Sequence, residues 1–267
     1  MSVRPSGIVA LLTDFGLRDP YVGVMKGVIL SVHPDARIID LSHDVPSQAV
    51  LEAYFLLSNT YRYFPVGTVF VAVVDPGVGT DRAILAVETG RYLFLAPDNG
   101  LLGFLEKEGA IRRIVRVQEK KYFLQPVSNT FHGRDIFAPV AGHLSRGLNP
   151  GRLGPEVDTL VRIAPPAPQV TREGVIRGEV VRVDHFGNLI TNIPADSLAQ
   201  VGGKLEIRVG RSVLRNISRS YGDAPKGKLI AVIGSTGHLE ISVNQGNAQK
   251  KTGARVGAPV RIHHAQP

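Results

Sequence analysis

The first part of the chain alternates short apolar runs with segments of helical periodicity. Ile8 to Leu12 is an uninterrupted apolar run, and Tyr21 to Val32 then carries apolar side chains three and four residues apart. Arg37 to Leu41 predicts the next strand and Gln48 to Tyr61 the next helix. Thr68 to Val74 is apolar on both faces, which is typical of a parallel strand covered by helices on each side. This order of elements predicts an α/β domain with a mostly parallel central sheet.

Further strands and helices continue the pattern. The predicted strands are 84–88, 92–96 and 111–117, and the predicted helices are 101–106 and 136–144. The first two of these strands flank Thr89-Gly90-Arg91, a short glycine-containing segment typical of a hairpin. We therefore expect a mixed sheet with a parallel centre.

A proline-rich break at residues 164–168 ends the helical periodicity, because neither a helix nor a central strand continues through clustered prolines. Beyond it, short β-type runs are separated by Gly, Pro, Asn and Asp, a spacing typical of a small barrel or sandwich. These runs are 175–183, 189–193, 204–209, 212–217, 229–233, 238–243 and 260–264. We predict an N-terminal α/β domain over 1–164, a linker over 165–174, and a smaller all-β, barrel-like domain over 175–267.

Composition and charge narrow the range of functions. The chain has 267 residues and no cysteine, which excludes thiol nucleophiles, disulfides and thiolate metal sites. Its longest apolar run, Val69 to Val74, is far shorter than the ~18 residues of a membrane span, and no secretory segment is evident, so we expect a cytoplasmic protein. Residues 1–164 hold 17 Lys and Arg against 16 Asp and Glu, a net charge of +1, whereas residues 165–267 hold 14 against 7, a net charge of +7. The basic strands lack interleaved aromatic residues, which argues against a nucleic-acid partner.

Polar groups in the N-terminal domain stand where strands end or a helix begins. Asp75 ends an apolar strand and is followed by Gly77 and Gly79, so this segment either holds a ligand or forms a tight turn. Asp14 ends the first strand and could accept hydrogen bonds from a ribose diol or cap a helix. His132 precedes a helix and is either a reactive group or a structural loop residue.

Two turns of the C-terminal domain could also bind a ligand. The segment from Asp184 to Asn188 combines a carboxylate, an aromatic face and an amide, which suits an adenine base, although the same segment suits a Gly-Asn hairpin. Gly234 to Gly237 offers hydroxyls and amides to a carboxylate, or forms another turn. We predict no metal site, and the chain contains neither a zinc-protease nor a serine-hydrolase motif.

Five motifs occur together and in a recognisable order. They are Thr13-Asp14-Phe15-Gly16, Val74-Asp75-Pro76-Gly77-Val78-Gly79, Ala96-Pro97-Asp98-Asn99-Gly100, Phe131-His132-Gly133-Arg134-Asp135 and Asp184-His185-Phe186-Gly187-Asn188. From Ile8 to about Ile262 the chain resembles the S-adenosylmethionine hydroxide adenosyltransferase family, whose relatives are the fluorinase and the chlorinase. The resemblance implies an N-terminal α/β domain and a C-terminal β-barrel. It also implies hydrolysis of S-adenosyl-L-methionine (SAM) to adenosine and L-methionine without a cofactor, in a homotrimer with active sites at subunit interfaces.

The resemblance implies a role for each N-terminal candidate. Asp75, Arg82 and His132 would handle the attacking water, with Gly133 beside them, and Asp14 would hold the ribose hydroxyls. Since methionine leaves as a neutral thioether, only the nucleophile needs help. A histidine, with an ordinary pKa of about 6.5, can take the proton of water only as the C–O bond forms. Arg82 stays protonated and would stabilise the developing hydroxide, while Asp75 orients Arg82 or the water.

The resemblance extends to the C-terminal candidates. Asp184 would face the methionine ammonium, Phe186 and Asn188 would lie at the adenine, and Ser235 would contact the methionine carboxylate. Thr236 stands where the halogenases have Arg.

The halogenases carry Tyr and Ser at the positions of Asp75 and Gly133, so the chain is similar to the hydroxide branch. A halogenase that uses chloride or fluoride, and a non-catalytic protein that binds SAM or nucleic acid, remain the alternatives.

Overall fold

The structure is a computed structural model that describes residues 3–199, 201 and 204–264. The chain divides into two compact units, Met1–Ile163 and Ala164–Pro267.

A six-stranded sheet forms the centre of the N-terminal unit. Its strands are β1 (Ile8–Thr13), β2 (Arg37–Ser42), β3 (Val69–Val73), β4 (Ile84–Thr89), β5 (Leu93–Pro97) and β6 (Ile111–Arg116). They lie in the order β2-β1-β3-β5-β4-β6. The pairs β1–β2, β1–β3 and β3–β5 are parallel, whereas β4 runs antiparallel to both of its neighbours. The expected mixed sheet with a parallel centre is confirmed.

Helices cover both faces of this sheet. They are α1 (Tyr21–Val32), α2 (Val50–Thr60), α3 (Gly103–Lys107) and α4 (Ala138–Ser145), with a π-helical turn at Gly133–Phe137 and 3-10 turns at Tyr61–Tyr63, Lys120–Tyr122 and Pro150–Arg152. Side chains of β3 alternate between the two layers, as a strand requires. Phe70 packs in the core beneath α2 and α3, and Val71 packs in the core beneath α1 and α4.

Two helix boundaries differ from the sequence-based expectation. The helix predicted over 48–61 starts only at Val50, because Gln48 has a left-handed backbone with a φ of 65°. The helix predicted over 136–144 is preceded by the π-helical turn, which begins at Gly133. Both departures lie beside the cavity described below.

The C-terminal unit is a sheet that curls around one core. Its strands are β7 (Gln169–Val170), β8 (Ile176–Val183), β9 (Leu189–Pro194), β10 (Leu205–Val209), β11 (Ser212–Leu214), β12 (Ile217–Ser218), β13 (Leu229–Ile233), β14 (His238–Val243) and β15 (Pro259–His264). The order is β11-β10-β15-β8-β9-β14-β13-β12, and β7 pairs with β8. Inward side chains such as Val180, Leu189 and Ile241 share this core. The predicted barrel-like β architecture is confirmed.

The C-terminal unit differs from the sequence-based expectation in one strand and in its short helices. The run predicted as one strand over 212–217 is two strands, of which β11 pairs with β10 and β12 with β13. The helices α5 (Ala195–Ala199) and α6 (Ala248–Thr252) and a 3-10 turn at Tyr221–Asp223 were not predicted. Helices of five residues are too short to display a helical period, so the apolar pattern carries no signal for them.

The longest described helix, α1, has 12 residues. In the part of the chain that the structure describes, no helix has the length and apolarity needed to traverse a bilayer.

Gly142 of α4 lies against α1 and should tolerate no side chain. An added Cβ would lie 2.8 Å from Val32 Cβ and 3.1 Å from the Ile29 carbonyl oxygen. We expect Gly142→Ala to lower the free energy of unfolding by about 1–3 kcal/mol, because the close contact must open. Gly27→Ala, on the exposed side of α1 with no atom within 4 Å of the added Cβ, is the matched control and should raise it by up to about 1 kcal/mol. Urea unfolding measures both, and equal shifts would contradict the α1–α4 contact.

Candidate active site

A cavity of about 620 Å³ in the N-terminal unit opens where β1 and β3 end. Thr13, the last residue of β1, pairs with Val73, the last residue of β3. Asp14 and Asp75 follow within two residues and therefore reach the same edge of the sheet, as the carboxyl ends of parallel strands do. Both aspartates line the cavity, together with His132 and Gly133.

Arg82 joins Asp75 to His132. Its Nε donates to Asp75 Oδ1 at 2.7 Å and its Nη2 pairs with Asp75 Oδ2, so the ion pair is bidentate. The same Nη2 lies 3.3 Å from His132 Nδ1. The side chains of Asp75 and Arg82 are 5% and 11% exposed, so water screens their interaction only weakly. Arg82 thus lies behind two residues of the cavity wall and holds both.

The surroundings of His132 favour its neutral form. Burial lowers the pKa of His132, and the positive charge of Arg82 lowers it further, against the opposing effects of Asp75 and Asp135. A guanidinium group only donates hydrogen bonds, so Nδ1, which faces Arg82, is the acceptor. In the neutral ring the proton then lies on Nε2.

The turn after β3 serves the site directly. The Gly77 amide donates to Asp75 Oδ1 at 3.2 Å. Gly79 has a φ of 79°, and a Cβ there would lie 2.4 Å from the Asn129 carbonyl oxygen. Both sequence-based interpretations of this segment therefore apply. The tight turn donates a hydrogen bond to Asp75 and also places its carboxylate at the cavity.

Three aromatic rings complete this cavity. Phe15, Tyr21 and Phe131 line it and meet edge to face, with ring centroids 5.1 to 6.1 Å apart. A Cβ on Gly133 would lie 3.2 Å from both Phe15 and Phe131, so glycine leaves room for these rings. No sequence motif predicts this cluster, because its members come from three separate segments.

Asp14 is positioned by the loop before α2. Its Oδ2 accepts a hydrogen bond from the Gln48 amide at 2.8 Å. The left-handed backbone of Gln48 turns this amide towards the carboxylate instead of into a helix.

A second cavity, of about 770 Å³, lies in the C-terminal unit. Asp184, Phe186, Asn188 and Ser235 all line it, as does Thr236. The first three belong to the turn between β8 and β9, and the other two to the turn between β13 and β14. Because β9 and β14 are antiparallel neighbours, these turns lie at opposite ends of β14.

The turn between β8 and β9 is internally bonded. Asp184 Oδ1 accepts from the amides of Phe186 and Asn188 at 2.9 and 2.8 Å, and its Oδ2 accepts from Asn188 Nδ2 at 2.9 Å. The hairpin interpretation of this segment therefore holds. Phe186 remains 71% exposed, so its ring is available to a ligand.

The second cavity also contains a buried carboxylate that was not among the sequence-based candidates. Glu240 of β14 is 7% exposed, and its Oε1 accepts from the Tyr221 hydroxyl and the Ser242 hydroxyl, each at 2.7 Å. The hydrogen bond to Glu240, together with burial, raises the pKa of Tyr221 to about 12. A Cβ on Gly234 would lie 2.7 Å from Glu240 Oε2, so glycine makes room for it. In the sequence, Glu240 and Ser242 stand at alternate positions of an otherwise apolar strand, and this pattern could have indicated the buried carboxylate.

Nowhere in residues 3–199, 201 and 204–264 do three His, Asp or Glu side chains come together in an arrangement that could hold a metal ion.

Family models match both units in chain order. The N-terminal domain of SAM hydroxide adenosyltransferase matches residues 9–154, and its C-terminal domain matches residues 178–261. The chain belongs to the SAM hydroxide adenosyltransferase family.

Individual relatives agree with this assignment to the SAM hydroxide adenosyltransferase family. An (R)-S-adenosyl-L-methionine hydrolase of Thermus thermophilus is 42% identical over 263 residues, which are 95% of this chain and 98% of that protein. A fluorinase of Nocardia brasiliensis is 27% identical over 96% of each chain. The crystal structure of a conserved protein from Thermotoga maritima superposes with a TM-score of 0.90 at 38% identity, covering 96% of this chain and all of that one.

In this member of the SAM hydroxide adenosyltransferase family, Arg82 should control the protonation of His132. We expect Arg82→Gln to raise the pKa of His132, because a positive neighbour is lost while the negative charges of Asp75 and Asp135 remain. Titration of the imidazole resonances by NMR measures the shift. Arg146→Gln is the matched control, since burial and Arg146 lower the pKa of His143. It should raise the pKa of His143 and leave that of His132 unchanged. A pKa of His132 that stays the same in Arg82→Gln would contradict the contact.

Proposed function

We propose that the protein hydrolyses SAM to adenosine and L-methionine through in-line attack of water at C5′. The observation that carries this proposal is the connected group of Asp75, Arg82 and His132 at the cavity that also contains Asp14. Membership of the family and the Thermus thermophilus hydrolase support the same reaction.

The reaction requires activation of the attacking water, but no stabilisation of the leaving group. Methionine departs from the sulfonium as a neutral thioether, so neither an acid nor a metal has to stabilise it, and no cofactor is needed. Ionising water in advance at pH 7 would cost about 12 kcal/mol, since its pKa of about 15.7 lies roughly nine units higher. The proton must therefore leave as the C–O bond forms, when the oxygen has become strongly acidic.

The directions of the hydrogen bonds indicate where the water is held. Asp75 Oδ1 already accepts from Arg82 and from the Gly77 amide, whereas Oδ2 accepts from Arg82 alone and keeps one lone pair. We propose that the water donates to this lone pair and accepts from the Nε2 proton of His132. One lone pair of the water then remains for C5′, and Asp75 takes the proton as the bond forms.

This arrangement differs from the sequence-based hypothesis, in which His132 accepts the proton and Arg82 contacts the developing hydroxide. In the structure Arg82 donates to Asp75, His132 and the Ala83 carbonyl oxygen. Arg82 therefore acts as a positioning residue that also contributes positive charge, and the water contacts the two groups that Arg82 orients. Gly133, next to His132 in the chain, makes room for the rings of Phe15 and Phe131.

The remaining site residues are proposed to hold the rest of SAM. Asp14 accepts from the ribose hydroxyls, and Phe186 and Asn188 contact the adenine through the exposed ring and the amide. Asp184 Oδ2 has a lone pair left for the methionine ammonium, and Ser235 donates to the methionine carboxylate. The homotrimer with active sites at subunit interfaces, and the cytoplasmic location, belong to the same proposal.

Isotope labelling tests the reaction directly. Incubation of the purified protein with SAM in ¹⁸O-water should yield labelled adenosine and unlabelled methionine, because the oxygen of water becomes the 5′-hydroxyl. Mass spectrometry of the products measures this, with and without added chloride or fluoride. Formation of 5′-halo-5′-deoxyadenosine would indicate a halogenase instead, and intact SAM would refute catalysis.

Loss of His132 or of Arg82 should affect turnover more than binding. We expect His132→Ala and Arg82→Ala each to slow turnover by roughly 10²-fold or more, because the water loses a donor or its orientation. Calorimetry should give adenosine affinities within about threefold of the unaltered protein. Arg146→Ala, at an exposed arginine that does not line the cavity, is the control and should keep full turnover. Normal turnover in both variants would rule out the assignment.

A further inference from the structure

The loop His43–Gln48, here called the clamp loop, contacts the turn Thr13–Gly16 in three places. The Gly16 amide donates to the His43 carbonyl oxygen at 2.8 Å. The Thr13 hydroxyl lies 2.8 Å from His43 Nδ1, and the Gln48 amide donates to Asp14 Oδ2 at 2.8 Å. Every residue of this turn except Phe15 is therefore held by the clamp loop.

Two of these residues are buried and do not reach the cavity. Thr13 is fully buried and His43 is 4% exposed, and neither lines the cavity that contains Asp14. The reaction proposed above uses neither side chain. Their hydrogen bond nevertheless lies one residue from the carboxylate proposed to hold the ribose.

The direction of this hydrogen bond follows from its neighbours. Burial raises the pKa of Asp40, but His43 and Lys26 outweigh this effect and lower it, so Asp40 is ionised. We assign the ring proton of His43 to Nε2, because this nitrogen lies 3.0 Å from Asp40 Oδ1, a contact whose angle lies outside hydrogen-bond geometry. Nδ1 is then the acceptor and the Thr13 hydroxyl the donor.

Thr13 in turn accepts from the backbone. The Phe15 amide donates to its hydroxyl oxygen at 3.3 Å. Two hydrogen bonds therefore run in one direction, from the Phe15 amide to Thr13 and from Thr13 to His43. The other side of the His43 ring lies against Asp40, whose second carboxylate oxygen is 2.6 Å from Lys26 Nζ. Asp14 sits between two residues whose positions this chain of bonds fixes.

We propose that Thr13 and His43 are positioning residues that hold the Asp14 carboxylate in place for a ribose diol. The inference rests on the proposed function, in which Asp14 receives the ribose hydroxyls. Selectivity for a hydroxylated sugar then depends on Thr13 and His43, two buried side chains that do not contact the ligand.

Binding of adenosine and of 2′-deoxyadenosine tests this without any turnover. In the unaltered protein we expect adenosine to bind roughly tenfold or more tightly than 2′-deoxyadenosine, because a hydroxyl donates to a charged acceptor. Thr13→Val, which removes the hydroxyl and keeps the volume, should reduce this ratio to about threefold or less. Thr13→Ser, which keeps the hydroxyl, should keep the ratio of the unaltered protein.

The matched control uses a similar bond elsewhere in the unit. His33 Nδ1 lies 2.9 Å from the Ser145 hydroxyl, and neither residue lines the cavity. Ser145→Ala should lower thermal stability and leave the adenosine ratio unchanged. If Thr13→Val fails to fold, His43→Met removes the acceptor instead and should reduce the ratio in the same way.

The outcomes separate the two proposals. An unchanged ratio in folded Thr13→Val or His43→Met, or an equal reduction in Ser145→Ala, would overturn the positioning role. A reduced ratio that Thr13→Ser restores would support it, even if ¹⁸O labelling showed that the unaltered protein leaves SAM intact. In turnover assays Thr13→Val should raise KM for SAM about tenfold and change kcat by less than threefold.

Discussion

The ion pair between Asp75 and Arg82 is the interaction on which the N-terminal site depends. A largely buried pair is favourable only where its geometry and additional hydrogen bonds offset the lost hydration. Here the pair is bidentate, the Gly77 amide satisfies Asp75 further, and the remaining donors of Arg82 reach a carbonyl oxygen and His132. Strand β3, buried on both faces, delivers Asp75 to the sheet edge where these partners meet. The protonation state of His132 then follows, because the guanidinium leaves Nδ1 only an acceptor role.

Three carboxylates that line the two cavities are oriented by hydrogen bonds from the protein. Each is held by hydrogen-bond donors of the protein: Asp14 by the Gln48 amide, Asp184 by amides of its own turn, and Glu240 by two hydroxyls. Such bonds orient a carboxylate and leave some of its lone pairs unused. A ligand that carries hydroxyls or an ammonium can therefore bind to groups that are already in position, which reduces the ordering that binding requires.

Local charge, and not the net charge of the chain, matters for this chemistry. The N-terminal unit is nearly neutral, and the excess of basic residues belongs to residues 165–267. SAM carries a net positive charge, so a basic surface would not attract it. The contribution of the protein is instead a fixed arrangement of a few charges, in which Arg82 neutralises Asp75 while a backbone amide donates to Asp14.

Much of this could be predicted from the sequence because it depends on local periodicity. The parallel centre of the first sheet, the β architecture after the prolines, and the positions of Asp14 and Asp75 after their strands follow from apolar patterning and turn residues. The five motifs pointed to the family, which the matches to both domains established. Only the tertiary structure decided that Arg82 lies behind the cavity wall, that His132 presents Nδ1 to it, that Thr13 contacts His43 beside Asp14, and that Glu240 lines the second cavity. These depend on contacts between distant segments and on the direction of individual hydrogen bonds, and neither leaves a periodic trace in the sequence.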